Sequence, residues 1–277
     1  PASVDTLIAH GHRVVLESGA GERANYSDHD YSEVGADIAY STEQVYKADI
    51  IIKVAPPTLE ELDHLRPNQI LFSPLHLPII TAEYLNRLRH KRVIALAMEY
   101  IMDEVGSYPV VRIMSEMAGL CAMHTAAELL ANTSGGKGVL LGGISGVPPA
   151  KEVRIFDNNI YKLKRVQNMV GRPLKTSSLN PQQMRKELLT ADIAIGAIHS
   201  KTGRTPIIVG EDIVSHMKTG SVIIDVSIDQ GGCFATSEVT SHDHPTFTKH
   251  GVIHYCVPNI ASRVARTASI AVSNILT

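Results

Sequence analysis

Short runs of consecutive apolar and β-branched residues alternate along the chain with stretches whose apolar positions recur at helical spacing. The runs predict strands over residues 13–17, 50–54, 69–73, 92–98, 153–156, 193–198, 222–226 and 252–257. Several are apolar at successive rather than alternate positions, the pattern of a strand buried on both faces of a parallel sheet. The helical stretches fall at 59–65, 82–89, 115–130, 181–189 and 212–217. This alternation predicts a doubly wound α/β architecture. The longest helical pattern, 115–130, carries Met117, Leu120, Cys121, His124 and Leu129 among small residues on nearly every side. Such a helix is expected to be buried or to bridge two domains. Residues 132–138 and 142–149 are rich in glycine and turn formers and predict loops.

Two segments share a form: Ala48-Asp49-Ile50-Ile51-Ile52-Lys53-Val54 and Ala191-Asp192-Ile193-Ala194-Ile195-Gly196-Ala197. Each reads as a helix end, an Asp and a buried strand. That supports two similar α/β domains facing one cleft, although parallel sheets commonly produce such strings. Pro1 stands directly before what reads as the first turn of a helix, and residues 270–277 stop inside an apolar segment. Both ends read as cut from a longer chain.

Composition narrows the function classes. The 277 residues suffice for two modest domains or one large one, and 44% hydrophobic content provides for a core. Lys plus Arg number 26 against 28 Asp plus Glu, so no charge argument favours nucleic acid or an anionic membrane. No apolar run is long enough to span a bilayer and no secretory signal opens the chain, which predicts a cytoplasmic protein. The three cysteines, Cys121, Cys233 and Cys256, are far apart and form no CxxC pair. Neither a metal site nor a disulfide framework is expected from them.

Chemistry is carried by polar residues at strand ends. Lys53 ends an apolar strand, where its ammonium either holds a substrate carboxylate or snorkels to solvent. His76 follows Leu71-Phe72-Ser73-Pro74-Leu75, again at a strand end. Histidine as a residue type can exchange protons near neutral pH or bond to a carbonyl. Position sets His76 above His64, His90, His216, His250 and His254 among the 13 histidines. In Ile223-Ile224-Asp225-Val226-Ser227-Ile228-Asp229-Gln230-Gly231-Gly232-Cys233 a buried strand runs into two acids and two glycines, and glycines permit close approach of backbone to a ligand. Asp229 could take a proton or hold an ammonium there, or simply cap its own turn. Asp225 reads as structural. Asp157 ends strand 153–156, where an acid in nicotinamide-binding units bonds the adenosine ribose and disfavours a 2′-phosphate; Asp-Asn is also ordinary turn chemistry.

Taken together, Lys53-Val54 with its following prolines, Phe72 to Leu77, Arg112 to Gly119, Gly136 to Pro149, Asp225 to Cys233 and Tyr255 to Arg266 resemble the alanine dehydrogenase and transhydrogenase α-subunit family over nearly the whole chain. The string Asp229-Gln230-Gly231-Gly232-Cys233 leans toward the dehydrogenase branch. The resemblance implies reversible oxidation of L-alanine by NAD and water to pyruvate, ammonium and NADH. Lys53 would bind the substrate carboxylate or carbonyl. His76 would act as acid/base or polarise the carbonyl, and Asp229 would assist proton transfer and ammonia handling, with Asn259 nearby. Ser115, Asp157, Lys162, Ser177, Ile198, His199, Val226, Ser227, Ile228, Asp229, Val257, Pro258, Asn259 and Ile260 match the family's cofactor-contact positions. The implied fold is two Rossmann-like domains: a catalytic domain over 1–112 completed by 265–277, and an inserted NAD-binding domain over 113–264. Family members are usually homo-hexamers.

The chain departs from the family twice. The family opens with a strand and an Arg that holds the substrate carboxylate, and nothing here corresponds to them. After Lys151 the family continues with a strand, a GxGxxG turn and a helix; here Glu152-Val153-Arg154-Ile155-Phe156 follows at once, so roughly twenty residues are missing from the pattern. Losing that piece would take away the helix N-terminus that holds a pyrophosphate and would leave an open sheet with an apolar edge at 193–198. Two other readings therefore stand beside the dehydrogenase: a transhydrogenase α-subunit-like domain, and a non-catalytic relative lacking the dinucleotide loop.

Overall fold

A computed structural model of the chain describes residues 1–77, 80–142, 144–145, 147, 152–171, 174–200 and 203–277. These divide into two units. The first holds Pro1–Cys121, Gly203 and Ala261–Thr277; the second holds Ala122–Ser200 and Arg204–Ile260.

In the first unit the elements run α1 (Ala2–Ala9), β1 (Val15–Glu17), α2 (Asp28–Glu33), β2 (Asp37–Ala39), α3 (Thr42–Val45), β3 (Ile50–Ile52), β4 (Ile70–Ser73), α4 (Ala82–His90) and β5 (Ile94–Ala97). β1 and β2 form a parallel pair, and β3, β4 and β5 form a parallel sheet with β4 central. Ser27 starts α2 with a capping box: its hydroxyl accepts from the Asp30 N–H, and the Asp30 carboxylate accepts from the Ser27 N–H. Tyr46, Ile51, Leu62, Leu65, Leu71, Leu75, Tyr84 and Leu88 build the core of this unit. The opposite sheet face corrects an expectation. Ile50 and Ile52 on β3 and Ile94 and Leu96 on β5 are about half exposed, so these runs are buried on one face only. Segment 59–65 likewise forms just a 3-10 turn, Glu61–His64. Pro56, Pro57 and Pro67 bracket it, removing amide donors and steering their predecessors away from helical geometry.

Helix α5 (Pro109–Leu129) begins six residues before the predicted start at 115, with proline in the first position that tolerates it. Its residues up to Cys121 belong to the first unit and those from Ala122 to the second. It is not buried all round. Val110, Met117, Cys121, Ala122, Thr125 and Ala126 are covered, while Leu120 is 74% exposed on the other side.

The second unit continues with β6 (Arg154–Phe156), α6 (Ile160–Val170), β7 (Lys175–Ser177), α7 (Pro181–Leu188), β8 (Ile193–Gly196), α8 (Glu211–Val214), β9 (Val222–Asp225), β10 (Thr246–Lys249) and β11 (Val252–Tyr255). The last helix, α9 (Ala265–Leu276), lies in the first unit. A four-stranded sheet has the order β10-β11-β9-β8, with only β10 antiparallel; β6 and β7 form a separate parallel pair. Every residue of β9 and β11 is buried, His254 and Asp225 included, as largely apolar strands of a parallel sheet predict. His254 on β11 is fully buried with both ring nitrogens engaged, one with the Thr236 hydroxyl at 2.8 Å and one with the Val252 carbonyl at 2.9 Å.

The two look-alike segments occupy equivalent places. The Asp49 carbonyl accepts from the Ile70 N–H at 3.1 Å and the Asp192 carbonyl from the Val222 N–H at 3.0 Å, so each Asp starts a strand by joining it to the next. The open edge expected at 193–198 is also present. Among the described residues β8 pairs only with β9, and β6 only with β7. Phe156 on β6 and Ala194 on β8 nevertheless pack into one core cluster with Met184, Val209 and Phe234. In the doubly wound order the strand that leads into the glycine-rich turn stands between the equivalents of β6 and β8.

Candidate active site

Three of the expected segments meet at the C-terminal ends of β8, β9 and β11, the edge where open parallel sheets bind ligands. The Ile198 N–H donates to the Ser227 hydroxyl at 2.7 Å, joining the loop after β8 to the turn after β9. The Asp229 carboxylate accepts from the Asn259 N–H at 2.8 Å, joining that turn to the loop after β11. Asp229 thus bonds to a segment thirty residues away. Asn259 holds a left-handed backbone (φ 51°), a conformation asparagine tolerates better than most residues. Asp229, Asn259 and His199 are exposed, whereas Ser227, Ile228, Val257 and Ile260 are buried behind them; Val226 and Pro258 are intermediate.

The turn is held from below by Asp225. Its carboxylate, 1% exposed, accepts from the N–H groups of Ser227 (3.0 Å), Cys233 (2.9 Å) and Phe234 (3.3 Å) and from the Ser237 hydroxyl (2.6 Å). The 3-10 turn Val226–Gln230 leaves that carboxylate and, through Gly231 and Gly232, returns to it. Both glycines have positive φ, and a Cβ on Gly232 would lie 2.8 Å from the Asp225 carboxylate. The glycines therefore serve the turn's closure. Gln230, which the sequence reading passed over, ties the β8 loop to this turn: its amide accepts from the Ser200 N–H at 2.9 Å and donates to the Ser200 carbonyl at 3.1 Å. Burial, with Asp225 alongside, pushes the Cys233 thiol up to about 12, and burial takes Cys256 to about 11. Neither is a thiolate nucleophile at neutral pH.

The first unit places Lys53 and His76 at adjacent strand ends. The Lys53 N–H donates to the Phe72 carbonyl at 3.0 Å, extending the β3–β4 register by one residue. Its ammonium bonds to Glu61, a partner the sequence reading did not identify. Burial raises the Glu61 carboxyl, but the Lys53 ammonium and the Thr58 N–H outweigh it and hold the carboxyl below its ordinary value. The Lys53 side chain keeps 26% of its surface open, so the ammonium has further donors to offer a carboxylate. His76 is exposed and has φ 49°. A histidine held there is strained by about 1–2 kcal/mol, a cost often tolerated at functional sites.

Of the remaining expected cofactor positions, Asp157 and Ser177 stand at the ends of the other strand pair, β6 and β7. Asp157 follows β6, and its N–H donates to the carbonyl of Ser177 at the end of β7 at 3.2 Å. The Asp157 carboxylate accepts from the Asn159 N–H at 2.7 Å, which is turn chemistry. Lys162 is exposed on the first turn of α6. Ser115, on α5, donates its hydroxyl to the Val111 carbonyl at 2.8 Å, one helical turn back. The residues expected to contact a dinucleotide thus fall on Asp157 after β6 and on the loops at 198–199, 226–229 and 257–260. The glycine-rich pyrophosphate turn has no counterpart among the described residues; the junction at Lys151 lies outside them. No helix among the described residues is long and apolar enough to cross a membrane, and no group of three or more His, Cys, Asp or Glu there could hold a metal ion.

Two family models match: the alanine dehydrogenase/PNT N-terminal domain over residues 1–118 and the alanine dehydrogenase/PNT C-terminal domain over 150–277. The chain is 36% identical to an alanine dehydrogenase of Lysinibacillus sphaericus over 298 residues, spanning 99% of this chain and 80% of the relative. Since this chain has 277 residues, at least 21 of those positions have no counterpart in it. A solved structure of an L-alanine dehydrogenase superposes with a TM-score of 0.90 at 34% identity, covering 99% of this chain and 82% of that one. The transhydrogenase from Sinorhizobium meliloti superposes with a TM-score of 0.77 at 21% identity, covering 99% of this chain and 86% of that one, a likeness of fold.

Proposed function

The chain belongs to the alanine dehydrogenase/PNT family, and on that footing we propose that it catalyses the reversible NAD-dependent oxidative deamination of L-alanine to pyruvate and ammonium. The reading rests on the 0.90 TM-score superposition on an L-alanine dehydrogenase over 99% of the chain. In it the first unit handles the substrate and the second holds the cofactor. The enzyme works as a homo-oligomer, a hexamer as in family members, in the cytoplasm.

The residues divide the work by their chemistry. Lys53, oriented by Glu61, holds the alanine carboxylate and so fixes which face of Cα is presented. NAD, which Asp157 and the loops at 198–199, 226–229 and 257–260 would hold, would supply the acceptor for the Cα hydride. His76 removes a proton from the water that attacks the resulting imine carbon, and in the reverse direction it donates to the pyruvate carbonyl oxygen. Asp229 takes the proton shed by the substrate ammonium before oxidation and returns one as ammonia departs, its orientation set by the Asn259 N–H. Ser227 and Ile198 keep the nicotinamide side of the turn in one shape. Asp157 takes the adenosine ribose hydroxyls and repels a 2′-phosphate.

The test is formation of NADH on adding L-alanine, with pyruvate and ammonium assayed as products. Hydride exchange between nicotinamides with no turnover of alanine would instead support the transhydrogenase reading. Lys53→Ala is expected to lower kcat/KM for alanine by about 100-fold or more while the circular dichroism of the fold is kept; near-normal turnover removes the assigned role. Asp157→Ala is expected to weaken NAD binding or narrow the preference for NAD over NADP by roughly tenfold. Equal Kd values for both cofactors before and after the substitution would refute that assignment.

A further inference from the structure

From the loop geometry at the ends of β4 and β5 we infer that Glu99 is a positioning residue for His76, acting on its backbone. The inference rests on the reading above, in which His76 exchanges protons with the substrate.

Parallel pairing makes the meeting unavoidable. Ser73 is in register with Ala97, the last residues of β4 and β5. Past that point β4 continues through Pro74, which has no N–H, to Leu75 and His76, while β5 turns into the 3-10 turn Met98–Tyr100. The first two amide donors beyond β4 therefore stand opposite the side chain at position 99. Both bond to its carboxylate. Oε1 is 2.9 Å from the Leu75 nitrogen and 2.7 Å from the His76 nitrogen, and Oε2 is 3.2 Å from the Leu75 nitrogen.

Two successive N–H groups converging on one anion form a nest, and a nest requires a left-handed residue. His76 is that residue, with φ 49°. Glycine normally fills such a position at no steric cost; a histidine stays there only when its surroundings hold it. Leu75 is buried and the Ile80 N–H bonds to the His76 carbonyl at 3.1 Å, so the turn is anchored on both flanks. Without the Glu99 carboxylate the two amides lose their acceptor and the His76 backbone relaxes toward negative φ. That rotation redirects the Cα–Cβ bond and carries the imidazole away from its working place. Glu99 thus sets where the imidazole points without touching the substrate.

A double-mutant cycle tests this on the full chain, with alanine oxidation as the assay and circular dichroism and melting as checks of folding. Glu99→Ala is expected to lower kcat about tenfold to 100-fold with little change in KM, the loss expected of a misplaced reacting group. Glu99→Gln keeps an acceptor oxygen for the two amides and is expected to recover most of that loss. In a His76→Ala background, Glu99→Ala is expected to change the residual rate less than about twofold, because the group it positions is gone. Losses that multiply in the double variant, an unchanged kcat in Glu99→Ala, or a Gln variant as slow as Ala with a raised KM would each overturn the inference. A His76→Ala enzyme of undiminished rate would instead overturn the role of His76, and the positioning role with it.

Discussion

His76→Ala lowers kcat for alanine oxidation by about 10²–10⁴-fold, the range supplied by a positioned general acid/base, and leaves the melting temperature nearly unchanged. The separation follows from the structure. The imidazole is exposed and has no hydrogen-bond partner among the described residues, so removing it unpacks little. The two amide bonds to Glu99 come from backbone and survive the substitution. Activity and stability thus report on different parts of one residue. The pH–rate profile provides the second check: the limb contributed by the imidazole should disappear from kcat/KM. A full-length bell with both limbs retained would mean that another group exchanges the proton.

Asp225→Ala acts in the opposite sense, through stability first. The carboxylate is nearly inaccessible and serves three backbone amides and one hydroxyl. Alanine leaves those donors buried without an acceptor, and each orphaned group costs about 1–3 kcal/mol when it cannot reach water. Relaxation of the turn recovers part, so the expected loss is about 3–5 kcal/mol, read as a lower urea midpoint. The surviving folded fraction should also bind NAD more weakly, since Ser227 and Asp229 sit on the turn that the carboxylate closes at both ends. Asp225→Asn retains one acceptor oxygen but sets an amide N–H₂ against N–H donors, and should fall between the two. An alanine variant as stable as the parent would show that the turn is held by its glycines and packing alone.

The legibility of the chain follows burial. Ile223-Ile224 on β9 and Ile253 on β11 lie in strands covered on every side, and their apolar runs announce them. β2, β7, β10, α2 and α6 were not foreseen. Lys175-Thr176-Ser177 on β7 has no apolar residue at all; it is a strand because Arg154-Ile155-Phe156 lies beside it in register. α6 is amphipathic but follows a turn whose Asn159 cap is visible only once its side chain is seen to accept from Tyr161 and Lys162. The same distinction runs through the site. Lys53, His76, Asp157 and Asp229 could be named because a polar residue ending an apolar strand is a local anomaly. Glu61, Glu99 and Gln230 are ordinary surface letters in their own neighbourhoods.

The sequence by itself determined the α/β class and the family, and it marked the strand ends where chemistry is expected. Each of these is written in local hydrophobic period or in short motifs, which survive without knowledge of the fold. Tertiary structure alone decided which side chains hold the site in shape. Glu99 reaches His76 across 23 residues and Gln230 reaches Ser200 across 30; Asp225, legible as structural, shows its partners only when the chain returns to it at Cys233 and Ser237. Parallel pairing creates these meetings by placing the ends of sequence-distant strands side by side, a proximity that no local pattern encodes.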